Sequence, residues 1–158
     1  MNINIKKLSE ENVKICTNII CNSVLGEKYG YEKEKINEML LNAIKKEEKI
    51  YTAHIKEDVV GVVWYDLKGA FCIAPYLRLI IVDKKYKGMN IGSYLIDFYE
   101  KQCVKENKHY FLLVSDFNSK AIKFYETKGY IRIGIILSFV KKNINEIIMM
   151  KENKRNLS

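Results

Sequence analysis

The chain contains few of the residues that interrupt secondary structure. One proline and eight glycines among 158 residues are too few for a Pro/Gly-rich linker. The N-terminal residues lack the apolar core of a signal peptide, and the longest apolar runs are far too short to span a bilayer. We therefore expect one compact cytoplasmic domain that has no membrane partner.

Cysteine and histidine are also scarce, and they are scattered. The sequence has no C-x-x-C pair, and His54 and His109 are too far apart to suggest a metal cluster. No metal site is expected. The four cysteines are predicted to be small core or half-buried residues: Cys16, Cys21, Cys72 and Cys103.

Positive charge is in excess. The net charge of +8 can attract nucleic acid, an anionic membrane or a phosphorylated small molecule. The lysines are spread along the chain, and neither a helix-turn-helix arrangement nor an RNA-reading aromatic motif is present. Nucleic-acid binding is therefore the weakest of the functional hypotheses.

Hydrophobic periodicity predicts a mixed α/β fold. Strands are predicted over residues 3–8, 50–55, 59–67, 74–82, 110–115, 130–137 and 146–151. Helices are predicted over residues 9–25, 32–48, 91–107 and 118–128, with a break at 26–31. This order gives about seven strands flanked by four helices in a single domain over residues 1–152, followed by a frayed tail at 153–158. Strand–helix–strand parallel pairing is expected within residues 74–115.

A glycine-containing basic loop follows the apolar strand that ends at Val82. Gly88 and Gly92 allow close approach of the backbone to a ligand, and Asn90 tolerates a left-handed backbone. The unpaired N–H groups of the next helix favour a phosphate there, and nearby lysines add mobile charge: Lys84, Lys85 and Lys87. The alternative is a solvated loop that caps an ordinary helix.

A second group of residues begins at Asn118, which caps a short predicted helix. Tyr125 lies two turns along that helix, so both side chains can face one cleft. A tyrosine hydroxyl in a cleft can protonate a leaving group. The alternative is an aromatic side chain that fills a helix–sheet interface.

Taken together, the two segments resemble the GCN5-related N-acetyltransferase (GNAT) superfamily. The family loop Arg/Gln-x-x-Gly-x-Gly/Ala corresponds here to residues 87–92. The later family motif matches Asn118 and Ala121, the Phe124-Tyr125 pair and the Gly129-Tyr130 pair. The order of predicted elements also matches the family fold over nearly the whole chain.

The resemblance implies acetyl-CoA as donor and an amine acceptor that attacks the thioester directly. It implies that Asn118 binds the pantetheine arm beside Phe124, and that Tyr125 protonates the departing thiolate. It places the pantetheine along the backbone of Ile80, Ile81 and Val82. The pyrophosphate is expected at the loop and the first helical turn: Lys87, Gly88, Met89, Asn90, Ile91, Gly92 and Ser93.

Three positions depart from the family pattern. Lys87 replaces Arg or Gln, and Asn90 replaces the first motif glycine. Leu113 stands where ribosomal-protein acetyltransferases of this family carry a glutamate. An ammonium group must lose a proton before it attacks, so another base is needed. Asp116 is the predicted base, and the alternatives are Asp66 and Tyr65.

Further expectations concern the acceptor and the oligomeric state. Aromatic residues are expected to line the acceptor pocket: Tyr29, Tyr31, Trp64, Tyr76 and Phe139. The Lys141-Lys142 pair would favour an acidic or neutral acceptor over a polycation. A homodimer is possible through a sheet edge expected at residues 146–151. Because of Leu113 and Asn90, a non-catalytic acyl-CoA-binding or sensor protein is the second hypothesis.

Overall fold

A computed structural model describes residues 2–103 and 108–154. Its strands are β1 (Asn4–Lys7), β2 (Lys49–Ile55), β3 (Asp58–Ala70), β4 (Ala74–Val82), β5 (His109–Ser115), β6 (Ile131–Lys141) and β7 (Ile144–Glu152). Its α-helices are α1 (Glu10–Cys21), α2 (Val24–Tyr29), α3 (Lys33–Lys45), α4 (Ile91–Gln102) and α5 (Ser119–Thr127). The mixed class and the seven strands are confirmed, but the described residues form five α-helices rather than four.

The strands form one sheet in the order β1-β2-β3-β4-β5-β7-β6. β4 and β5 run parallel, with Tyr76 opposite Phe111, as predicted for residues 74–115. The β6–β7 hairpin folds back so that β7 pairs with β5 on its other side. The prediction of a sheet edge at residues 146–151 is therefore wrong, because β7 is an inner strand and β6 is the edge strand.

The additional helix is α2, which occupies most of the predicted break at residues 26–31. The Ser23 hydroxyl caps it by accepting from the Gly26 N–H at 3.0 Å, and Gly30 ends it with a φ of 69°. A Cβ on Gly26 would lie 2.3 Å from the backbone oxygen of Cys21. The sequence signal was misread because this glycine permits a close backbone approach inside a helix instead of breaking the helix.

The chain divides into two compact units, and the first comprises Met1–Tyr65 and Leu79–Tyr99. Helices α1 and α3 pack on each other and bury apolar side chains against β2 and β3. The centre of this core is essentially inaccessible to solvent: Cys16, Ile20, Leu40, Ile50 and Val62. Burial of these side chains stabilises the unit.

The second unit comprises Asp66–Arg78 and Glu100–Ser158. It contains β5, β6, β7 and α5, and its buried side chains include Tyr110, Leu112, Val114, Ile122, Tyr130, Ile147 and Met149. An ion pair of 2.7 Å between Lys151 and the buried Glu100 joins β7 to the end of α4. This end of the unit is therefore held by polar as well as apolar contacts.

Two predicted chain segments extend into residues outside the described ranges. The helix end expected near residue 107 lies there, as do residues 155–158 of the predicted tail. Asn153, by contrast, is buried, and its N–H donates to the Lys108 carbonyl at 2.7 Å. The domain boundaries, including a tail that begins at residue 153, stay a prediction. Within the described ranges, no helix is long and apolar enough to cross a membrane.

Candidate active site

The glycine loop joins β4 to α4 within the first unit. After Val82 the chain forms a 3₁₀ turn over Lys84–Tyr86, and the Asp83 carboxylate caps this turn by accepting from the Lys85 N–H at 3.0 Å. Gly88 has a φ of 82° and Asn90 a φ of 60°. Asn90 therefore has the left-handed backbone that asparagine tolerates. The Asn90 carbonyl accepts from the Ser93 N–H at 3.1 Å, which starts α4 directly after the loop.

The tip of the loop is open to solvent. A Cβ added at Gly88 would meet no heavy atom within 4 Å, and Lys87, Gly88, Met89 and Asn90 are all exposed. The backbone there is accessible to a ligand, which is what binding of a phosphate to main-chain N–H groups requires.

The base of the loop is fixed by side chains. The Tyr86 hydroxyl donates to the Asp58 carboxylate at 2.9 Å, and the Lys84 ammonium pairs with Glu27 of α2. Lys84 is therefore not the mobile charge that the sequence predicted. These two contacts hold both ends of the 3₁₀ turn, and the exposed residues 87–90 of the loop follow it directly.

A cavity of about 400 Å³ borders the same segment. One wall is Val82, Asp83, Lys84, Lys85 and Lys87; the other comes from α1, the α1–α2 connection and the start of α2: Ile15, Asn18, Ile19, Asn22, Ser23 and Val24. Basic, polar and apolar side chains meet in one concave space. This combination suits a ligand that has both anionic and apolar parts.

In the second unit, Asn118 caps α5 as predicted. Its Oδ1 accepts from the Ala121 N–H at 3.3 Å, and Gly129 closes the helix with a φ of 89°. The Asn118 side chain is half-buried, whereas Lys120 and Lys123 are exposed on the first turns. The cap orients the Asn118 side chain.

Tyr125 is buried on α5. Its ring lies 5.4 Å from the ring of Phe124 and 5.9 Å from that of Tyr130. Burial raises the pKa of the Tyr125 hydroxyl far above its usual value, and the neighbouring Tyr76 raises this pKa further. The hydroxyl therefore keeps its proton at neutral pH, as a proton donor must. The ring also fills the interface predicted by the alternative reading.

The three candidate bases have other contacts. Asp116 is exposed, and its carboxylate accepts from the Asn145 N–H at 3.3 Å. Asp66 is exposed and accepts from the Lys68 N–H at 2.9 Å. Tyr65 is buried between Tyr51 and Tyr99, with ring centroids 5.9 and 5.3 Å away. All three residues are therefore held in local structure.

A buried acidic side chain that the sequence reasoning overlooked lies on β7. Glu146 is 5% exposed and accepts from the Ser115 hydroxyl at 3.2 Å. These residues lie directly opposite each other in the β5–β7 pairing. The sequence did contain a signal for this residue, since Glu146 directly precedes the apolar run of residues 147–150. A carboxylate is rarely buried unless it has a partner.

The predicted acceptor residues fall in both units. Tyr29 and Tyr31 stack at 5.9 Å in the first unit. Trp64 belongs to the core of that unit, and its Nε1–H donates to Glu48 at 3.0 Å; its place in the acceptor pocket stays a prediction. In the second unit, Tyr76 is half-buried and Phe139 is exposed.

The cysteines and histidines give no sign of chemistry. Cys16, Cys21 and Cys103 are buried, whereas Cys72 is exposed, contrary to the prediction. Burial raises the pKa of the Cys16 thiol to about 12, which makes it unreactive. His54 is buried and bonds Thr52 at 2.8 Å. Within residues 2–103 and 108–154, no cluster of metal-ligating side chains is found.

Comparison with known proteins identifies the family. The family model described as an acetyltransferase (GNAT) domain matches residues 6–153. The chain therefore belongs to the GNAT acetyltransferase family, and the resemblance seen in the sequence is confirmed. The comparison with curated proteins finds no significant match.

Solved structures share the fold at low sequence identity. Ard1 from Thermoplasma volcanium has a TM-score of 0.80 and 20% identity, covering 96% of this chain and 98% of that one. PaiA N-acetyltransferase from Thermoplasma acidophilum, in complex with coenzyme A, has a TM-score of 0.75 and 23% identity, covering 96% and 99%. A variant of the spermidine N-acetyltransferase SpeG from Vibrio cholerae has a TM-score of 0.77 and 15% identity, covering 99% and 96%.

Proposed function

We propose that this protein is an N-acetyltransferase that moves an acetyl group from acetyl-CoA to a primary amine. The observation that carries the proposal is the glycine loop of a GNAT family member, with left-handed Gly88 and Asn90 and an exposed backbone before α4. A main-chain turn of this kind, followed by a helix N-terminus, recognises phosphate through N–H groups.

The donor roles are assigned from the family motif. In the first unit, the backbone of Ile80, Ile81 and Val82 would pair with the pantetheine arm, and residues 87–93 would hold the pyrophosphate. In the second unit, Asn118 would bond the pantetheine and Phe124 would pack beside it. The open space at Gly88 fits this assignment, because a side chain there would occupy the position of the phosphate.

The proposed chemistry is direct transfer. The neutral amine nitrogen forms a bond to the acetyl carbonyl carbon, and the carbon–sulfur bond breaks. The hydroxyl of Tyr125 gives its proton to the departing sulfur, the nitrogen releases one proton to solvent, and Tyr125 regains a proton from solvent. Backbone N–H groups would polarise the carbonyl. The position of Tyr125 supports this role, because its hydroxyl is buried on α5 beside Phe124 and Tyr130 and is protonated at neutral pH before the step.

The acceptor class is a separate proposal. Lys141 and Lys142 are exposed at the turn between β6 and β7, and a polycation would be repelled there. We therefore propose an acidic or neutral amine, in contrast to the acceptor named for the spermidine N-acetyltransferase neighbour. Equal turnover of spermidine and an acidic amine of similar length would count against this acceptor class.

Calorimetric titration with acetyl-CoA at two salt concentrations tests the donor. We expect saturable one-site binding that ATP does not reproduce. Gly88→Ala should weaken this binding about tenfold or more, because alanine is strained at a φ of 82°. A factor of ten corresponds to about 1.4 kcal/mol. The matched control is Gly30→Ala, since Gly30 also has a positive φ and open space around its Cβ position; this variant should bind like wild type. Equal binding of ATP would refute the donor assignment.

A second candidate function is non-catalytic acyl-CoA binding. Leu113 is half-buried where some relatives are expected to carry a glutamate base, and this observation favours the candidate. Release of free CoA thiol with a panel of amines separates the two functions. Steady release with any amine supports the acetyltransferase, whereas binding of acetyl-CoA with no thiol release across the panel supports the sensor.

A further inference from the structure

The second unit contains a buried polar cluster to which no role has been assigned so far. Its centre is Glu146 at the start of β7, whose two carboxylate oxygens lie 3.2 and 3.3 Å from the Ser115 hydroxyl. Both side chains are at least 95% buried. A carboxylate in such a position has lost most of its hydration, so it needs polar or cationic partners nearby.

Tyr76 of β4 belongs to the same cluster. Register places Tyr76 opposite Phe111 and Glu146 opposite Ser115, and Phe111 and Ser115 face the same side of β5 because they are four residues apart. The nearby charge of Glu146 and burial both raise the pKa of the Tyr76 hydroxyl. The side chains of Tyr76 and Glu146 therefore lie within electrostatic reach of each other.

The other groups around this cluster lie on β4, α5 and β6 and in the connection between β5 and α5. Arg78 of β4 acts on Tyr76 with its positive charge. Tyr125 of α5 is close enough to Tyr76 for its own pKa to be raised by it. Asp116 binds the backbone of Asn145, the residue before Glu146, and is exposed. On β6, the residue opposite Glu146 is the apolar Ile136.

We propose that Tyr76 and Glu146 bind the ammonium group of the acceptor and that Glu146 is the base that deprotonates it. The proposal rests on the proposed N-acetyltransferase function and supplies the base that Leu113 cannot provide. Glu146 and Tyr76 would contact the acceptor nitrogen, and Ser115 would position the carboxylate. The acceptor site would therefore select a primary ammonium group carried on a neutral or acidic molecule.

The proton transfers of the proposed reaction balance between Glu146, Tyr125 and the solvent. One N–H bond of the ammonium breaks and its proton forms an O–H bond on the Glu146 carboxylate, which leaves a neutral amine to attack. After the carbon–sulfur bond breaks, Tyr125 gives its proton to the sulfur. The proton lost by the amine nitrogen in forming the amide leaves with the solvent, and the same route returns Glu146 and Tyr125 to their starting states.

Glu146 is better suited to this role than Asp116, the base predicted from the sequence. Asp116 is exposed to water, and its carboxylate is held by a main-chain N–H. Glu146 is shielded from solvent and lies beside Tyr76, which in turn adjoins the proposed acid Tyr125. The proton acceptor and the proton donor would thus occupy neighbouring positions in one unit.

The test compares Glu146→Gln with wild type over a range of pH, using an amine that the wild-type enzyme acetylates. We expect kcat/KM at neutral pH to fall about 10²-fold or more in Glu146→Gln. The loss should shrink as the pH approaches the pKa of the free amine, because the substrate then arrives deprotonated. The control is Glu152→Gln, which removes an exposed carboxylate from the same strand and should keep the wild-type profile.

Two further measurements separate catalysis from folding. Acetyl-CoA binding and the thermal midpoint of Glu146→Gln should match those of wild type. If this variant does not fold, Glu146→Asp replaces it, because it keeps the carboxylate but retracts it, and its kcat/KM should be reduced with the pH dependence of wild type. In a folded Glu146→Gln variant, a fall in kcat that is the same at every pH would indicate a structural role and overturn the proposal.

The outcomes also distinguish this inference from the proposed function. A wild-type protein that binds acetyl-CoA but acetylates no amine refutes both. A wild-type protein that acetylates an amine, beside a folded Glu146→Gln variant of equal kcat/KM, refutes the role of Glu146 alone.

Discussion

Single residues decide the chemistry of this chain, and their environment matters more than their identity. Tyr125 is the proposed proton donor, and burial raises the pKa of its hydroxyl; burial also raises the pKa of the Cys16 thiol to about 12, which makes that thiol unreactive. At the position expected for a base, Leu113 offers no titratable group. The proposed acid could be predicted from a motif, whereas the proposed base Glu146 was found through its burial.

Removing the Tyr125 hydroxyl tests the acid directly. Tyr125→Phe should bind acetyl-CoA like wild type and lose about 10²–10⁴-fold in kcat, because the departing thiolate would have no proton donor. Steady-state kinetics with calorimetry of the donor checks both quantities. Tyr130→Phe, which alters the neighbouring buried ring at 5.9 Å, is the control and should keep kcat close to wild type. Unchanged kcat in Tyr125→Phe would rule out the assignment.

At the scale of an element, α2 shows how a glycine can be essential inside a helix. The start of α2 packs so closely on the end of α1 that a Cβ at Gly26 would meet the backbone oxygens of Cys21 and Ile20 at 2.3 and 2.4 Å. Backbone atoms cannot yield as a flexible side chain can. The α1–α2 corner, which lines the cavity beside the glycine loop, therefore depends on this residue.

Gly26→Ala should lower the free energy of unfolding by about 3 kcal/mol, because the added methyl group overpacks a backbone contact. Urea unfolding monitored by circular dichroism measures the change. Gly30→Asn serves as the comparison, since asparagine tolerates the left-handed backbone there and nothing lies within 4 Å; it should cost less than about 1 kcal/mol. Equal stability of the two variants would show that the corner can relax.

At the scale of the whole molecule, one edge strand of the sheet exposes apolar side chains. This edge was expected at residues 146–151, but it is formed by β6. β6 is the terminal strand of the sheet, and several of its large apolar side chains are more than half exposed: Ile131, Ile135, Leu137, Phe139 and Val140. Exposed apolar groups on an unpaired edge favour association with another chain. The homodimer predicted from the sequence is therefore still proposed, with β6 in place of residues 146–151.

Sedimentation velocity over a range of concentrations should show a monomer–dimer equilibrium for the wild-type chain. Leu137→Asp should shift the equilibrium to monomer, because it places a charge on the 75% exposed apolar side chain. Leu67→Asp, at a 38% exposed position on β3, should leave the equilibrium unchanged. A wild-type protein that is monomeric at every concentration would contradict the prediction.

The sequence by itself determined the local elements, the family and the donor motif. Apolar periodicity located all seven strands, Asn90 was recognised as a residue that tolerates a left-handed backbone, and Asn118 predicted the cap of α5. These features depend on residues that are neighbours in the chain, so propensities and short motifs suffice to find them. Helix α2 was not predicted, because Gly26 was interpreted as a break, whereas it permits close contact with α1.

Only the tertiary structure decided which residues share an environment. It showed that β7 is inserted between β5 and β6, that Trp64 is a core residue, and that Glu146 is buried against Ser115. Each of these facts depends on contacts between residues far apart in the chain, and strand order is not encoded in local periodicity. Burial then sets which side chains hold or accept a proton, because desolvation acts only on groups that the assembled fold removes from water.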